Sequence, residues 1–119
     1  IARKSNWRFS MMFSEYKQLN ELEDVYDTEK KQVDQALQKL NELRHQIRRE
    51  NEESYDLFLH LKEKMNYSNE ANGRMLNNIE EYEYEVNQRL RQSEIKLEKY
   101  KDELRKEYLK QFEKIKEGD

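Results

Sequence analysis

Apolar residues recur along this chain in alternating steps of three and four positions, the spacing that puts side chains on one face of an α-helix. From Leu19 onward they form a heptad repeat with two interleaved sets of inward positions. The first set is Leu19, Tyr26, Val33, Leu40, Ile47, Ser54 and Leu61, and the second is Leu22, Glu29, Ala36, Leu43, Glu50, Leu57 and Lys64. This seam predicts one long helix that packs against another helix.

A second apolar seam follows residue 73 and predicts the partner helix. Its inward positions are Leu76, Ile79, Glu83, Val86, Leu90, Ser93, Leu97, Tyr100 and Leu104. The stretch "NYSNEANG" (66–73) separates the two seams, and its Asn72-Gly73 pair is typical of a turn. The sequence therefore predicts an all-α fold and a single domain, residues 1–119. It would be an antiparallel helical hairpin of coiled-coil type, with helices over about 5–65 and 74–116 and a turn over 66–73.

Pairing about a turn centred near residue 70 gives the expected register of the hairpin. Asp34 would then lie near Lys106, and residue 116 would pair near residue 24. Residues 5–23 would have no partner on the second helix and would form an apolar N-terminal helical extension.

The most apolar stretch of the chain, "NWRFSMMFSEY" (6–16), lies in that extension. Exposed aromatic and methionine side chains mark protein-binding surfaces. The candidate partner-binding residues are Trp7, Phe9, Met11, Met12, Phe13 and Tyr16. One alternative is that the segment folds back as a third short helix and caps the hairpin. Another is a membrane-surface anchor assisted by Arg3, Lys4 and Arg8, although their charge is not confined to one helical face.

The first seam weakens across "RRENEES" (48–54). Three interpretations remain open for this stretch: a kink, a buried polar residue that fixes the register, or a solvated turn of helix.

The composition favours long helices and argues against a thick globular core. Charged residues make up 41% of the 119 residues and hydrophobic residues 34%, with no proline. The net charge of −3 argues against general nucleic-acid binding. No apolar run is long enough to cross a membrane. The absence of cysteine fits a cytoplasmic protein, and it fits exported bacterial proteins as well.

Three motifs resemble chemical sites, and each has a simpler interpretation. "ELRH" (42–45) has the Glu-x-x-His spacing of di-iron bundles, but the seam points Glu42 and His45 outward. "RHQIRR" (44–49) is basic, but acidic residues follow it at once. "EEYEYE" (80–85) complements the macrodipole near the start of the second helix and does not form a calcium loop. We therefore predict no catalytic residue, no metal and no cofactor, and a protein that is not an enzyme.

The order of long helix, Asn/Gly-containing turn and long helix resembles the small helical proteins of bacterial type VII secretion. More narrowly it resembles the accessory partners of LXG toxins, and "LEKYKDELRKEYLKQFEKI" (97–115) is similar to their second helix. The resemblance implies binding to the toxin's helical domain, stabilisation of that domain and help with its export. This chain has no Trp-x-Gly turn and no Tyr-x-x-x-Asp/Glu signal, so an export signal would come from the partner.

Two classes of function follow. The first is an adaptor or targeting chaperone that binds the helical domain of a partner protein, either in the cytoplasm or exported with that partner. The second is a structural coiled-coil segment of a larger protein, or a stalk hairpin of the secretion-ATPase kind. The expected partner is a protein with a helical domain, or further copies of this chain in a homo-oligomer.

Overall fold

The computed structural model describes Phe13 and residues 16–118. Helix α1 spans Leu19–Lys64 and helix α2 spans Asn69–Glu117, with residues 65–68 between them. There is no β-strand in these residues. The predicted all-α antiparallel hairpin is confirmed.

The loop lies earlier than the sequence indicated, because Ser68 caps the second helix. The backbone N–H of Ala71 donates to Ser68 Oγ at 3.1 Å, which satisfies one of the free N–H groups of the first turn. Glu70 adds a carboxylate in the same turn, where the helix dipole favours it. Helix α2 therefore begins five residues before the expected position, and the predicted turn over 66–73 is wrong for its second half. Asn72 and Gly73 lie inside the helix.

Gly73→Ala should stabilise the protein, because Gly73 is helical and does not adopt a positive φ. A Cβ built at this position has no neighbour within 4 Å. Alanine is favoured over glycine inside a helix by about 1 kcal/mol, and denaturant unfolding should detect that gain. Gly118→Ala, just beyond the end of α2, is the control and should change stability by less than about 0.5 kcal/mol. A destabilised Gly73→Ala variant would mean that the turn does use residue 73.

The chain divides into two compact units, and each contains antiparallel segments of both helices. The first unit comprises residues 1–38 and 94–119, and the second comprises residues 39–93. In the first unit Lys101 Nζ lies 2.6 Å from Asp34 Oδ1. The expected partner of Asp34 was Lys106, so the register differs from the predicted one. The earlier loop explains the direction of the change. When the turn moves toward the N-terminus, each residue of α1 lies opposite an α2 residue with a lower number.

Phe13 lies in the core of the first unit. It is 0% exposed and forms the buried cluster with Leu22 and Leu104. Its ring meets Tyr108 edge-on at 6.4 Å, and Tyr108 stacks on Tyr26 at 4.2 Å. The expectation that residues 5–23 lack a partner on the second helix is therefore wrong for Phe13 and Leu22. The position of Phe13 agrees with the alternative in which the N-terminal segment folds back onto the hairpin.

The second unit has a core that departs from the predicted heptad. Its buried residues are Ile47, Asn51, Phe58 and Leu90. On α1 the inward positions after Ile47 are Asn51, Tyr55 and Phe58, in steps of four, four and three. This spacing is close to the 3.6-residue period of a straight helix, so the seam moves by one position relative to the heptad.

The shift has two consequences for the sequence predictions. Asn51 is only 6% exposed, so the weak stretch 48–54 contains a buried polar residue, one of the three interpretations. Leu43 and Leu57, which the heptad placed inward, are 41% and 57% exposed.

Candidate protein-interaction surface

The six candidate partner-binding residues divide into two groups. Trp7, Phe9, Met11 and Met12 lie outside the residues that the structure describes. Phe13 is buried, and Tyr16 packs against the same cluster. Gln111 Nε2 on α2 donates to the Tyr16 carbonyl oxygen at 2.9 Å, and the chain is not helical from Tyr16 to Gln18. One continuous helix from about residue 5 to 65 is therefore wrong, and the Phe13 side chain already has a partner in its own chain.

Tyr108 is the centre of the aromatic cluster around Phe13. Burial raises the pKa of its phenol, and the carboxylates of Glu23 and Asp27 raise it further. The phenol therefore stays neutral at physiological pH, which suits a ring that contacts Tyr26, Phe13 and Phe112. This cluster serves packing within the first unit.

Exposed apolar side chains are concentrated in the second unit. Of the large hydrophobic residues that are exposed in the described part of the chain, two lie in the first unit, Ile95 and Leu109. The other seven lie in the second unit: Leu43, Leu57, Leu59, Met65, Tyr67, Tyr82 and Tyr84. Apolar exposure concentrated in this way is typical of a protein-interaction site.

Four of these residues flank core positions in the segments around Tyr55 and Glu83. Leu57 and Leu59 flank the buried Phe58 on α1, and Tyr82 and Tyr84 flank the half-buried Glu83 on α2. A hydrogen bond from the Tyr55 hydroxyl to Glu83 Oε2, at 3.5 Å, places the two segments at the same level.

The symmetry of an antiparallel pair decides which of these residues share a side. A two-fold axis perpendicular to the plane of the two helices relates each position on α1 to the equivalent position on α2. A residue that directly precedes an inward position on α1 therefore lies on the same side of the hairpin as one that directly precedes an inward position on α2. Leu57 and Tyr82 therefore share one side, which we call the Leu57 side. Leu59 and Tyr84 follow inward positions and share the opposite side, which we call the Leu59 side.

Tyr55 connects the two helices beneath these surfaces. Desolvation raises the pKa of its phenol, and the negative charges of Glu83 and Glu80 raise it further. The hydroxyl therefore keeps its proton at physiological pH and can donate it to the Glu83 carboxylate. At 3.5 Å this is a long contact, and it indicates which segments of the two helices lie opposite each other.

The motifs that resembled chemical sites lie on the surface. Glu42 and His45 are both exposed, and the described residues contain no group of three metal-binding side chains placed to hold an ion. The tyrosines of "EEYEYE" are exposed, and of its carboxylates only Glu83 turns inward. Within the residues described, neither helix has a stretch apolar and long enough to cross a membrane.

A shallow concavity of about 650 Å³ runs along α2 in the first unit, beside Leu109. Lysine and glutamate side chains line it, and Lys110 Nζ pairs with the buried carboxylate of Glu107 at 3.3 Å. Lys110 and Glu107 therefore form an ion pair within α2.

Leu59, Tyr82 and Tyr84 were not predicted to be exposed apolar residues, although the sequence contains a signal for them. "LFL" (57–59) places three apolar residues in succession, and successive residues on a helix point about 100° apart. All three cannot face one partner helix. The same holds for "YEY" (82–84), whose two tyrosines lie on opposite sides of the inward Glu83.

No protein-family model, curated protein or solved structure matches this chain. The resemblance to LXG accessory partners therefore rests on architecture and stays a prediction.

Proposed function

We propose that this protein is a non-enzymatic helical adaptor that binds the helical domain of a partner protein through its second unit. The observation that carries the proposal is the concentration of exposed leucine and tyrosine side chains around Phe58 and Glu83. Tyr84 is 67% exposed and Leu59 is 54% exposed. Aromatic side chains of this kind are common anchors at interface centres.

The form of this surface supports a helical partner. Leu59 on α1 and Tyr84 on α2 lie on the same side of the hairpin, about five residues or 7.5 Å apart along the helix axes in the pairing that Tyr55 and Glu83 define. A third helix that packs along this side can contact both with apolar side chains at three- and four-residue spacing. The proposed partner therefore has an amphipathic helix whose apolar residues meet the Leu59 side.

The proposal extends to the helical N-terminal domain of a type VII-secreted LXG toxin as the partner, on the similarity of architecture described above. In that role the adaptor would act in the cytoplasm, or would be exported with the toxin.

The test is to co-express the chain with the N-terminal domain of an LXG protein from the same genome and to measure the native mass of the complex. A complex of the two chains is expected. Leu59→Glu with Tyr84→Glu should weaken it at least about tenfold, because charge would replace two apolar anchors.

The control is Leu109→Glu, which places the same charge on an exposed leucine of the first unit. It should leave the complex intact. If the wild-type chain forms no complex, the LXG extension is wrong and the structural coiled-coil alternative gains support. If the Leu109 variant loses binding and the Leu59/Tyr84 variant does not, the surface has been assigned to the wrong unit.

A further inference from the structure

One zone of the second unit carries acidic side chains and no basic ones. This acidic zone comprises residues 50–59 on α1 and 75–88 on α2, which contain no lysine, arginine or histidine. Its eight carboxylates are Glu50, Glu52, Glu53, Asp56, Glu80, Glu81, Glu83 and Glu85. The zone therefore has a charge of −8, and since the whole chain has a net charge of −3, the remaining residues sum to +5. Negative charge is concentrated in one part of the hairpin.

The two halves of the acidic zone lie opposite each other. The Tyr55 hydroxyl contacts Glu83 Oε2, and antiparallel pairing from that point places residue 50 opposite residue 88. All four exposed leucines and tyrosines that flank Phe58 and Glu83 lie inside the zone. The exposed apolar surface and the negative charge therefore coincide.

Two of the carboxylates belong to the Leu59 side. Asp56 directly follows the half-buried Tyr55, and Glu80 directly follows the half-buried Ile79. Residues that follow inward positions share this side of the hairpin with Leu59.

These two carboxylates alternate with the apolar side chains across the two helices. In the pairing of Tyr55 with Glu83, Glu80 on α2 lies about 1.5 Å along the helix axes from the level of Leu59 on α1. Asp56 on α1 lies about 3 Å from the level of Tyr84 on α2. Each apolar side chain of one helix therefore has a carboxylate of the other helix nearby.

Asp56 and Glu80 have no lysine or arginine close to them on their own helices. None of the residues three or four positions from either one is a lysine or an arginine, three are glutamates, and His60 is the one basic side chain. In the part of the chain that the structure describes, neither carboxylate takes part in an ion pair. Like charges at this spacing repel, so positive charge supplied by a partner would relieve that repulsion.

The carboxylates of the Leu57 side have partners within the chain. Glu50 and Glu85 each directly precede an inward position, which places them on that side. Glu50 Oε1 accepts a hydrogen bond from Gln46 Nε2 at 3.1 Å, and Arg89 follows Glu85 by four residues on α2. The unpaired negative charge therefore favours the Leu59 side as the surface for a cationic partner.

On the basis of the proposed function, we infer that the helix bound on the Leu59 side is basic and amphipathic, with lysine or arginine on both edges of its apolar stripe. Its apolar side chains contact Leu59 and Tyr84, and its cations pair with Asp56 and Glu80. The long apolar stems of lysine and arginine can cover an apolar neighbour while the charged end reaches a carboxylate. The same negative charge repels nucleic-acid phosphates and anionic lipid surfaces.

Three synthetic helical peptides with the same leucine stripe test the required charge. The stripe is flanked by lysine in the first peptide, by glutamine in the second and by glutamate in the third. Fluorescence anisotropy measures their binding to the full chain. The lysine peptide should bind at least about tenfold more tightly than the glutamine peptide, and the glutamate peptide should bind most weakly. Raising salt from about 50 mM to about 500 mM should remove most of this difference, because salt screens exposed charges.

Charge variants of the chain locate the site. Asp56→Lys with Glu80→Lys should reverse the preference, so that the glutamate peptide binds more tightly than the lysine peptide. The matched control is Glu50→Lys with Glu85→Lys, which makes the same change of net charge on the Leu57 side and should keep the preference for lysine. Circular dichroism should show unchanged helicity in both variants.

A neutral variant separates this inference from the proposed function. Leu59→Asn with Tyr84→Asn should weaken the binding of the lysine and glutamine peptides at least about tenfold, because both lose their apolar anchors. If the lysine and glutamine peptides bind equally and both are lost in this variant, the inference is overturned and the helix-binding function stands.

Two other results would also overturn the inference. One is a Glu50/Glu85 variant that loses the lysine preference as completely as the Asp56/Glu80 variant, because attraction to the overall charge would then explain the binding. The other is a chain that binds none of the three peptides. In that case the native mass of the complex with the toxin domain still decides the proposed function.

Discussion

Phe13→Ala is expected to lower the free energy of unfolding by about 3–5 kcal/mol, the range for loss of a fully buried phenylalanine. The ring is 0% exposed and contacts Leu22, Leu104 and Tyr108. Alanine would leave a cavity between α2 and the segment that precedes α1. Since small domains are stable by only about 5–15 kcal/mol in total, the loss should be visible as a large shift of the unfolding midpoint.

The control for Phe13 is Leu109→Ala, which also removes a large apolar side chain from the first unit. Leu109 is exposed, so its loss should change stability by less than about 0.5 kcal/mol. If Phe13→Ala has an equally small effect, the residue is not part of the core in solution, and the original assignment of Phe13 to a partner surface regains its basis.

Phe58→Ala should have the second largest effect, about 3 kcal/mol, because Phe58 is a buried residue of the second unit. Its sequence neighbours provide the sharpest comparison available in the chain. Leu57→Ala and Leu59→Ala each remove a similar apolar volume, but from exposed positions, and should each cost less than about 0.5 kcal/mol. Denaturant unfolding of the three variants measures the difference.

Equal losses at all three positions would contradict the burial pattern of this helix. A larger loss at Leu57 than at Phe58 would return Leu57 to the inward position that the heptad predicted.

The sequence predicted the helical hairpin correctly because apolar spacing and the absence of proline are local properties. It placed the turn too late, because Asn72-Gly73 is a stronger general turn signal than Ser68. The structure uses the Ser68 side chain as a helix cap instead, and Gly73 is accommodated within α2. The error in the turn then propagated to the register, and Asp34 pairs with Lys101 where Lys106 was expected.

The exposed surface was harder to predict, because it depends on the point at which the inward positions stop following the seven-residue repeat. A strict repeat passes from Ile47 to Ser54 and Leu57, whereas the structure passes through Asn51 and Tyr55 to Phe58. A buried asparagine is not an apolar signal, so the pattern alone did not favour this path. Phe13 was hard to predict for a different reason. It is apolar but lies outside the repeat, so the pattern does not show whether it packs against its own chain or against a partner.

Side-chain footprinting of the complex with the helical partner domain tests the proposed interaction surface most directly. Hydroxyl radicals label exposed tyrosine and leucine side chains, and mass spectrometry measures the labelling at each residue. Tyr84 and Leu59 should be labelled strongly in the free chain and protected in the complex, while Leu109 should be labelled equally in both. Unchanged labelling of Tyr84 and Leu59, with new protection at Leu109, would contradict the assignment of the partner surface to the second unit.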